Sequence, residues 1–219
     1  MSIRKTYQGP NNDKERSKQK LIEAVGIVIR EYGYKGLTAS NIAKKAGVNR
    51  RLIYFYFDNL DQLIEIYIKS KDYWVDAAGN AGELIAAKKG IDTRLILEEM
   101  LINQLDYFSK DEEMQKMILW QISERSQVMF DVAEEREKVG KDFFDLADPF
   151  FHNTDVDLRA VTGLLVAGVY YMVLHAKSND SLFCQIDVNT ETGLTRIKNA
   201  ICQILKDTYL KIPARDKIG

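Results

Sequence analysis

The chain has 219 residues, 46% apolar and 29% charged, a balance that excludes a disordered polymer and is enough for a substantial buried core. Its net charge of −1 hides a segregation, because residues 1–57 carry 12 Lys/Arg against 4 Asp/Glu and the remainder carries 19 against 28. A basic head on an acidic body draws phosphates to one end and keeps them off the other.

Only 3 prolines and 13 glycines interrupt the chain, and the segments between them repeat their apolar residues every 3.6 positions, so an all-α protein is predicted. The first residues are polar and lack an apolar signal region, and no apolar run is expected to reach membrane-spanning length. Cys184 and Cys202 have neither C-x-x-C spacing nor the numbers for a disulfide framework, which fits a reducing cytoplasm.

In chain order, residues 1–13 read as a flexible basic arm with a breaker cluster at Gln8-Gly9-Pro10-Asn11-Asn12. A first helix is predicted from Lys14 to Tyr32, with Leu21, Val25, Val28, Ile29 and Tyr32 on one face and Gly33 and Gly36 as stops. Thr38 is placed to cap a second helix whose inward side is Ile42, Ala43 and Ala46. Gly47 can end that helix at positive φ, Val48 can fold back as an apolar plug, and Asn49 can cap a third helix. In that third helix Ile53 and Phe57 point inward, leaving Arg50, Arg51, Leu52 and Tyr54 outward. Two short helices joined at a glycine make a helix-turn-helix, whose second member reads bases with its N-terminal residues.

Asn59 and Gln62 resemble a capping box, and Leu60, Leu63, Ile64, Tyr67, Ile68 and Trp74 form one stripe along a fourth, connecting helix. Ala77 to Gly90 reads as a looser connection. A fifth helix runs from a cap at Asp92 to Phe108, apolar on most sides, and a sixth ends near Ser123. The next spans Gln127 to Ala147, where Pro149 is expected to prevent continuation. Two long helices close the chain, Val156–Lys177 and Glu191–Leu210. Ala160, Gly163, Leu164, Ala167 and Tyr171 share one stripe of the first; Leu194, Ile197, Ile201, Ile204 and Leu205 form that of the second.

The residues Gly33, Thr38, Ile42-Ala43, Ala46-Gly47-Val48, Ile53-Tyr54, Tyr56-Phe57 and the Asp61/Leu63 pair are similar in type and spacing to the tetracycline-repressor (TetR) family of bacterial regulators over residues 14–74. The resemblance implies a helix-turn-helix domain at 14–58 and a helical effector-binding and dimerisation domain at 59–212. It departs from the family at Leu60, where a phosphate-binding lysine is usual, and at Leu52, where a small or hydroxylated residue is common.

What the resemblance implies is a homodimer on a palindromic double-stranded operator, released by a small molecule. Thr38, Lys44 or Lys45, Tyr54 and Tyr56 are then candidates for phosphate, and Ser40, Asn49, Arg50, Arg51 and Leu52 for the bases and their surroundings. The terminal pair of helices would meet its copy in a four-helix bundle. Tyr67, Trp74, Tyr107, Phe108, Trp120, Phe130 and Phe144 lie on helices that enclose a cavity in the family, and Asn103, Gln104, Gln121 and His175 could supply polar contacts there. Those rings favour an apolar or aromatic effector. The stretch Phe183–Gly193, FCQIDVNTETG, resembles one found in part of the family after the first bundle helix.

No cofactor is expected. A helical enzyme would need converging reactive groups, and His152 and His175 lack H-E-x-x-H spacing or a neighbouring cysteine. A redox- or metal-responsive regulator working through Cys184 and Cys202 stays open as an alternative, as does a structural dimer that ignores DNA.

Overall fold

The computed structural model describes residues 10–74 and 92–213; the remainder of the arm and the predicted loose connection at 77–90 lie outside the described residues. Among the described residues there are nine α-helices: α1 (Pro10–Tyr32), α2 (Ala39–Ala46), α3 (Arg51–Tyr56), α4 (Leu60–Lys71), α5 (Thr93–Lys110), α6 (Glu112–Ser123), α7 (Gln127–Phe151), α8 (Leu158–Asn179) and α9 (Glu191–Tyr209). They fall into two compact units, one within Met1–Lys71 and Trp120–Val132, the other within Asp72–Leu119 and Ala133–Gly219.

In the first unit α1 packs on α2 and α4, burying Leu21, Val25, Val28 and Ile29 with Ile42, Leu63, Ile64 and Ile68. Among the described residues the helix is already formed at Pro10, ahead of the predicted start at Lys14; proline is tolerated in a first turn, where its missing N–H has no intrahelical carbonyl to reach. Gly33 ends it at φ +66°, ψ −173°, a conformation open essentially to glycine alone. The apolar stripe predicted to run unbroken to Trp74 is interrupted: α4 stops at Lys71, and Asp72 is wholly buried. Its carboxylate accepts the Trp74 N–H at 3.1 Å, which starts a fresh turn. Trp120, expected among effector-binding rings, instead belongs to the first unit and stacks on Tyr34 at 5.7 Å.

In the second unit α5 packs on α8 and α9. The α9 stripe of Leu194, Ile197, Ile201 and Leu205 is buried in this way, Lys198 Nζ reaches an Asp106 carboxylate oxygen at 2.7 Å, and Tyr209 Oη donates to Thr93 Oγ1 at 3.0 Å. Four residues assigned to a dimer interface are therefore core residues of their own chain, since apolar periodicity shows that a face is covered and not by whom. Helix α7 continues through Pro149 to Phe151, against expectation; with only two residues following, the proline disturbs the final turn alone.

A second correction concerns α8. At 22 residues and mean hydropathy 1.4 it is long and apolar enough to cross a membrane, although no such run was expected. Val169, Val173 and Ala176 face the core, while Ala160, Gly163, Leu164, Ala167 and Tyr171 are exposed. The helix is apolar on two sides.

The α8–α9 connection is tightly built. Phe183 and Ile186 exchange both backbone hydrogen bonds across a turn in which Cys184 and Gln185 adopt φ +50° and +58°. Thr190 then caps α9, accepting the Gly193 N–H at 3.1 Å and donating to the Asp187 carbonyl at 2.8 Å. Val188 is buried beneath it.

Candidate DNA-binding interface and effector site

Helix α3 is held by local chemistry. Thr38 Oγ1 accepts the Asn41 N–H at 3.2 Å, and Asn41 Nδ2 donates to the Gly36 carbonyl at 2.9 Å, fixing the start of α2. Gly47 closes α2 in the left-handed region at φ +66°, ψ +33°, and Val48 N–H bonds back to the Ala43 carbonyl at 3.1 Å. Asn49 Oδ1 accepts the Arg51 N–H at 2.9 Å, the cap that starts α3. Ile53 and Phe57 are buried against this scaffold.

The opposite side of α3 is consequently presented to solvent. Arg50, Arg51 and Tyr54 are exposed and Leu52 and Tyr56 half-buried, while Thr38, Ser40, Lys44 and Asn49 are exposed around them. Lys45 differs from its neighbour. It pairs with Glu31 and lies over the Tyr32 ring at 5.5 Å; the hydrogen bond to Glu31 raises its pKa, and the same bond lowers that of Glu31. Lys44 is thus the better placed of the two for a phosphate.

Phe55 was missed by the sequence reading. It is 73% exposed, and at 100° per residue it shares with Arg51 the face opposite Ile53 and Phe57, so the i, i+4 pattern could have found it. At the position of the absent lysine, Leu60 is half-buried and opens α4, whose cap is Asn59 Oδ1 accepting the Gln62 N–H at 2.8 Å.

The second unit gathers a polar and aromatic cluster around Trp74. Its indole N–H donates to Tyr170 Oη at 2.9 Å, and the Tyr170 ring meets Phe108 edge-on at 4.8 Å. Tyr73 lies 5.1 Å from Trp74 and 5.7 Å from Tyr107, and donates to the Met100 carbonyl at 3.0 Å. Burial pushes the Tyr73 phenol up to about 12 and raises that of Tyr170, so both stay neutral donors at physiological pH. Beside them Asp72 accepts from Arg136 Nε at 2.8 Å and from Nη2. Gln104 is 1% exposed and lies beside the Tyr170 hydroxyl, on which its side chain acts.

Of the predicted effector residues, then, Trp74, Gln104, Tyr107 and Phe108 belong to this cluster directly or through one ring. The rest do not gather there. Asn103 and Phe130 are exposed; Tyr67 is core of the first unit; Gln121 is half-buried in the first unit. Phe144 is covered by the Arg159 guanidinium at 4.6 Å. His175 pairs with Ser181 at 2.9 Å between Tyr171 and Phe183. Asp72, Arg136 and Tyr170 were not foreseen.

A separate open cavity of about 390 Å³, flanked by Lys110, Lys116 and Lys177, contains none of the expected residues, and Lys116 pairs with Glu112 at 2.8 Å. Among the described residues no group of three or more His, Cys, Asp or Glu is placed to hold a metal. Burial raises the Cys202 pKa, which disfavours the reactive thiolate that redox sensing needs.

Residues 27–66 match the family model described as bacterial regulatory proteins, tetR family. No curated protein matches the chain. Among solved structures it is similar to the transcriptional regulator FadR from Bacillus subtilis in complex with stearoyl-CoA, at 21% identity and TM-score 0.62, covering 85% of this chain and 96% of that one. It is similar also to a TetR family regulator from Marinobacter aquaeolei, at 14% identity and TM-score 0.63 over 88% and 97% of the two chains. NalD of Pseudomonas aeruginosa, a secondary repressor of a multidrug efflux pump, gives 16% identity and TM-score 0.59 over 86% and 96%. With α3 capped by Asn49 and exposed as this motif requires, and residues 27–66 matched by the family model, the chain carries an N-terminal helix-turn-helix of the kind found in tetR-family bacterial regulatory proteins.

Proposed function

We propose that this regulator is a cytoplasmic repressor that binds a palindromic operator as a homodimer and is released by a small, largely apolar effector held in the second unit. The observation that carries the reading is the outward face of α3: Arg50, Arg51, Tyr54 and Phe55 are exposed opposite the buried Ile53 and Phe57. Arginine at the first turn of a groove-facing helix can take guanine O6 and N7 bidentately, and the apolar ring of Phe55 suits a thymine methyl. Thr38, Lys44, Tyr54 and Tyr56 are assigned to phosphates, Ser40 and Leu52 to flanking base edges, and Asn49 to the cap that aims them.

Selection of duplexes from a random pool tests this directly: the winners are expected to be two-fold symmetric, with half-sites about 34–36 Å apart or slightly more and at least one G·C pair in each. Arg51→Ala is expected to relax preference at one base pair, by about 1–3 kcal/mol of discrimination. Uniform weakening on every sequence would instead make Arg51 a phosphate contact.

The dimer is supported by α8. Only 28% of its most apolar window is buried within the chain, Leu164 and Tyr171 are 75% and 56% exposed, and a Cβ added at Gly163 or Gly168 meets nothing. Small residues beside protruding ones let two helices approach closely. With Ala160, Ala167 and Ile204 of α9 they form the proposed seam, while the buried part of the α9 stripe supports it from beneath. Leu164→Glu is expected to give a monomer by analytical ultracentrifugation and, by removing the second half-site, to lower operator affinity by about 10²-fold or more.

Effector release is assigned to the Trp74 cluster. Asp72 and Trp74 follow α4 directly in the chain, so an effector that displaces them acts on α4 by covalent continuity. It shifts the equilibrium only as far as it binds the released state more tightly. The acyl-CoA bound by the similar Bacillus FadR and the rings of Trp74, Tyr107 and Phe108 both support an extended apolar portion.

A further inference from the structure

The open cavity of about 390 Å³ in the second unit lies within the size range of small-molecule sites, about 300–1,000 Å³, and its wall is positive where the rest of its body is not. Three lysines line it against one glutamate, a net of +2, whereas residues 58–219 carry 19 Lys/Arg against 28 Asp/Glu. Glu112 is paired with Lys116 at 2.8 Å, which leaves Lys110 and Lys177. Each stands in the last turn of its helix, α5 and α8 respectively, and among the described residues neither has an ion-pair partner. Like charges lining one cavity repel, and an anion between them reverses the sign of that interaction. The polar floor is fixed in advance: Gln115 Nε2 donates to the Phe108 carbonyl at 2.7 Å and Ser109 Oγ to the Asp106 carbonyl at 3.1 Å, and both residues are buried. Leu174, buried, and Leu119, part-exposed, supply an apolar strip in the same wall.

We infer that this cavity binds a small phosphomonoester, a second ligand beside the apolar effector assigned to the Trp74 cluster. Its phosphate accepts from the Lys110 and Lys177 ammoniums and from the Ser178 hydroxyl, and its short apolar remainder rests on Leu119 and Leu174. A phosphomonoester carries a charge of about −1.5 to −2 at pH 7, which matches the cavity, whereas a carboxylate or a sulfonate supplies one charge. Lysine suits this task as a mobile point charge with three donors. Both lysines are exposed, so the attraction is screened by water and salt, and affinity falls as ionic strength rises. The site depends neither on the effector reading nor on DNA binding.

The test is calorimetric titration of the full chain with phenyl phosphate, benzenesulfonate and inorganic phosphate, in the wild type, in Lys110→Gln/Lys177→Gln and in Lys110→Arg/Lys177→Arg. Phenyl phosphate is expected to bind the wild type about tenfold or more tightly than benzenesulfonate, a monoanion of the same shape. It should also bind more tightly than inorganic phosphate, which has no apolar surface to lay on the two leucines. The glutamine variant is expected to lose the preference for phenyl phosphate over benzenesulfonate, and the arginine variant, which keeps both charges, to retain it. Lys177→Gln alone should weaken phenyl phosphate severalfold, which keeps the test decisive where the double variant is unstable. Equal affinity for phenyl phosphate and benzenesulfonate overturns the inference. So does unchanged binding in the glutamine variants, which would place the anion elsewhere, as on the basic residues of 1–57. Inorganic phosphate binding as tightly as its phenyl ester overturns it too, because the leucines would then take no part.

Discussion

Asp72→Ala is expected to lower the stability of the second unit by about 3–5 kcal/mol, measured by urea denaturation. Asp72 has no exposed surface, and the Arg136 side chain it meets is only 11% exposed. Both charges have already lost their hydration, so truncating the carboxylate leaves a guanidinium in a medium where an unbalanced charge is most unfavourable. The Trp74 N–H loses its acceptor at the same time. Asp72→Asn keeps the volume and that acceptor and should fall between. The pair as such adds little net stability, because its attraction is offset by desolvation. Replacing both residues, with Asp72→Leu and Arg136→Met, should therefore recover most of the loss. If the double variant is as unstable as the single one, the buried charge is not the cause. The consequence for regulation is separate: Asp72 fixes the residues between α4 and Trp74, and a double variant that folds but answers no effector would locate coupling in the ion pair itself.

What could be read in advance was whatever is decided within a few residues. Thr38, Gly47 and Asn49 act on neighbours two to four positions away, so cap and turn chemistry placed α2 and α3 and, with them, the outward arginines. Long-range pairings gave no such signal. Asp72 and Arg136 are 64 residues apart, and each alone reads as an ordinary surface charge. Trp120 looked like one more ring for a cavity because its partner, Tyr34, lies far back in the chain. The α9 stripe announced that Leu194, Ile197, Ile201 and Leu205 need cover, but the covering helix, α5, could be identified only once the chain was folded. For the same reason the exposed apolar face of α8 became visible only when its other face was accounted for. Gln104 is the opposite case. Its type was noted as suited to ligand contact, and folding added that it is buried beside the Tyr170 hydroxyl.

Gly193→Ala is expected to be nearly as disruptive as the loss of Asp72, although it adds a single methyl group. Gly193 stands at the third position of α9, where helical backbone suits alanine, so intrinsic propensity alone favours the substitution. Packing opposes it. A Cβ at this point would fall well inside contact distance of the Asp187 carbonyl oxygen and close to the Val188 nitrogen, and both are backbone atoms that no rotamer change can move. Neither is the surrounding turn free to yield. The Asp187 carbonyl accepts from Thr190 N at 3.2 Å and Oγ1 at 2.8 Å, Val188 is 3% exposed, and Asn189 Nδ2 reaches the Ala176 carbonyl at the end of α8 at 3.3 Å. Accommodating the methyl requires breaking the Thr190 cap or withdrawing Val188. Overpacking of this kind is unfavourable by about 3 kcal/mol, which for a chain of this size lowers the melting temperature by roughly 6–12 °C. Val188→Ala, which leaves the carbonyl where it is but loosens the turn, should soften the penalty when combined with Gly193→Ala, so that the double variant is less unstable than the sum of the single ones. Strict additivity, or a melting temperature within a degree of the wild type, would show that the connection between α8 and α9 moves more freely than its hydrogen bonds allow.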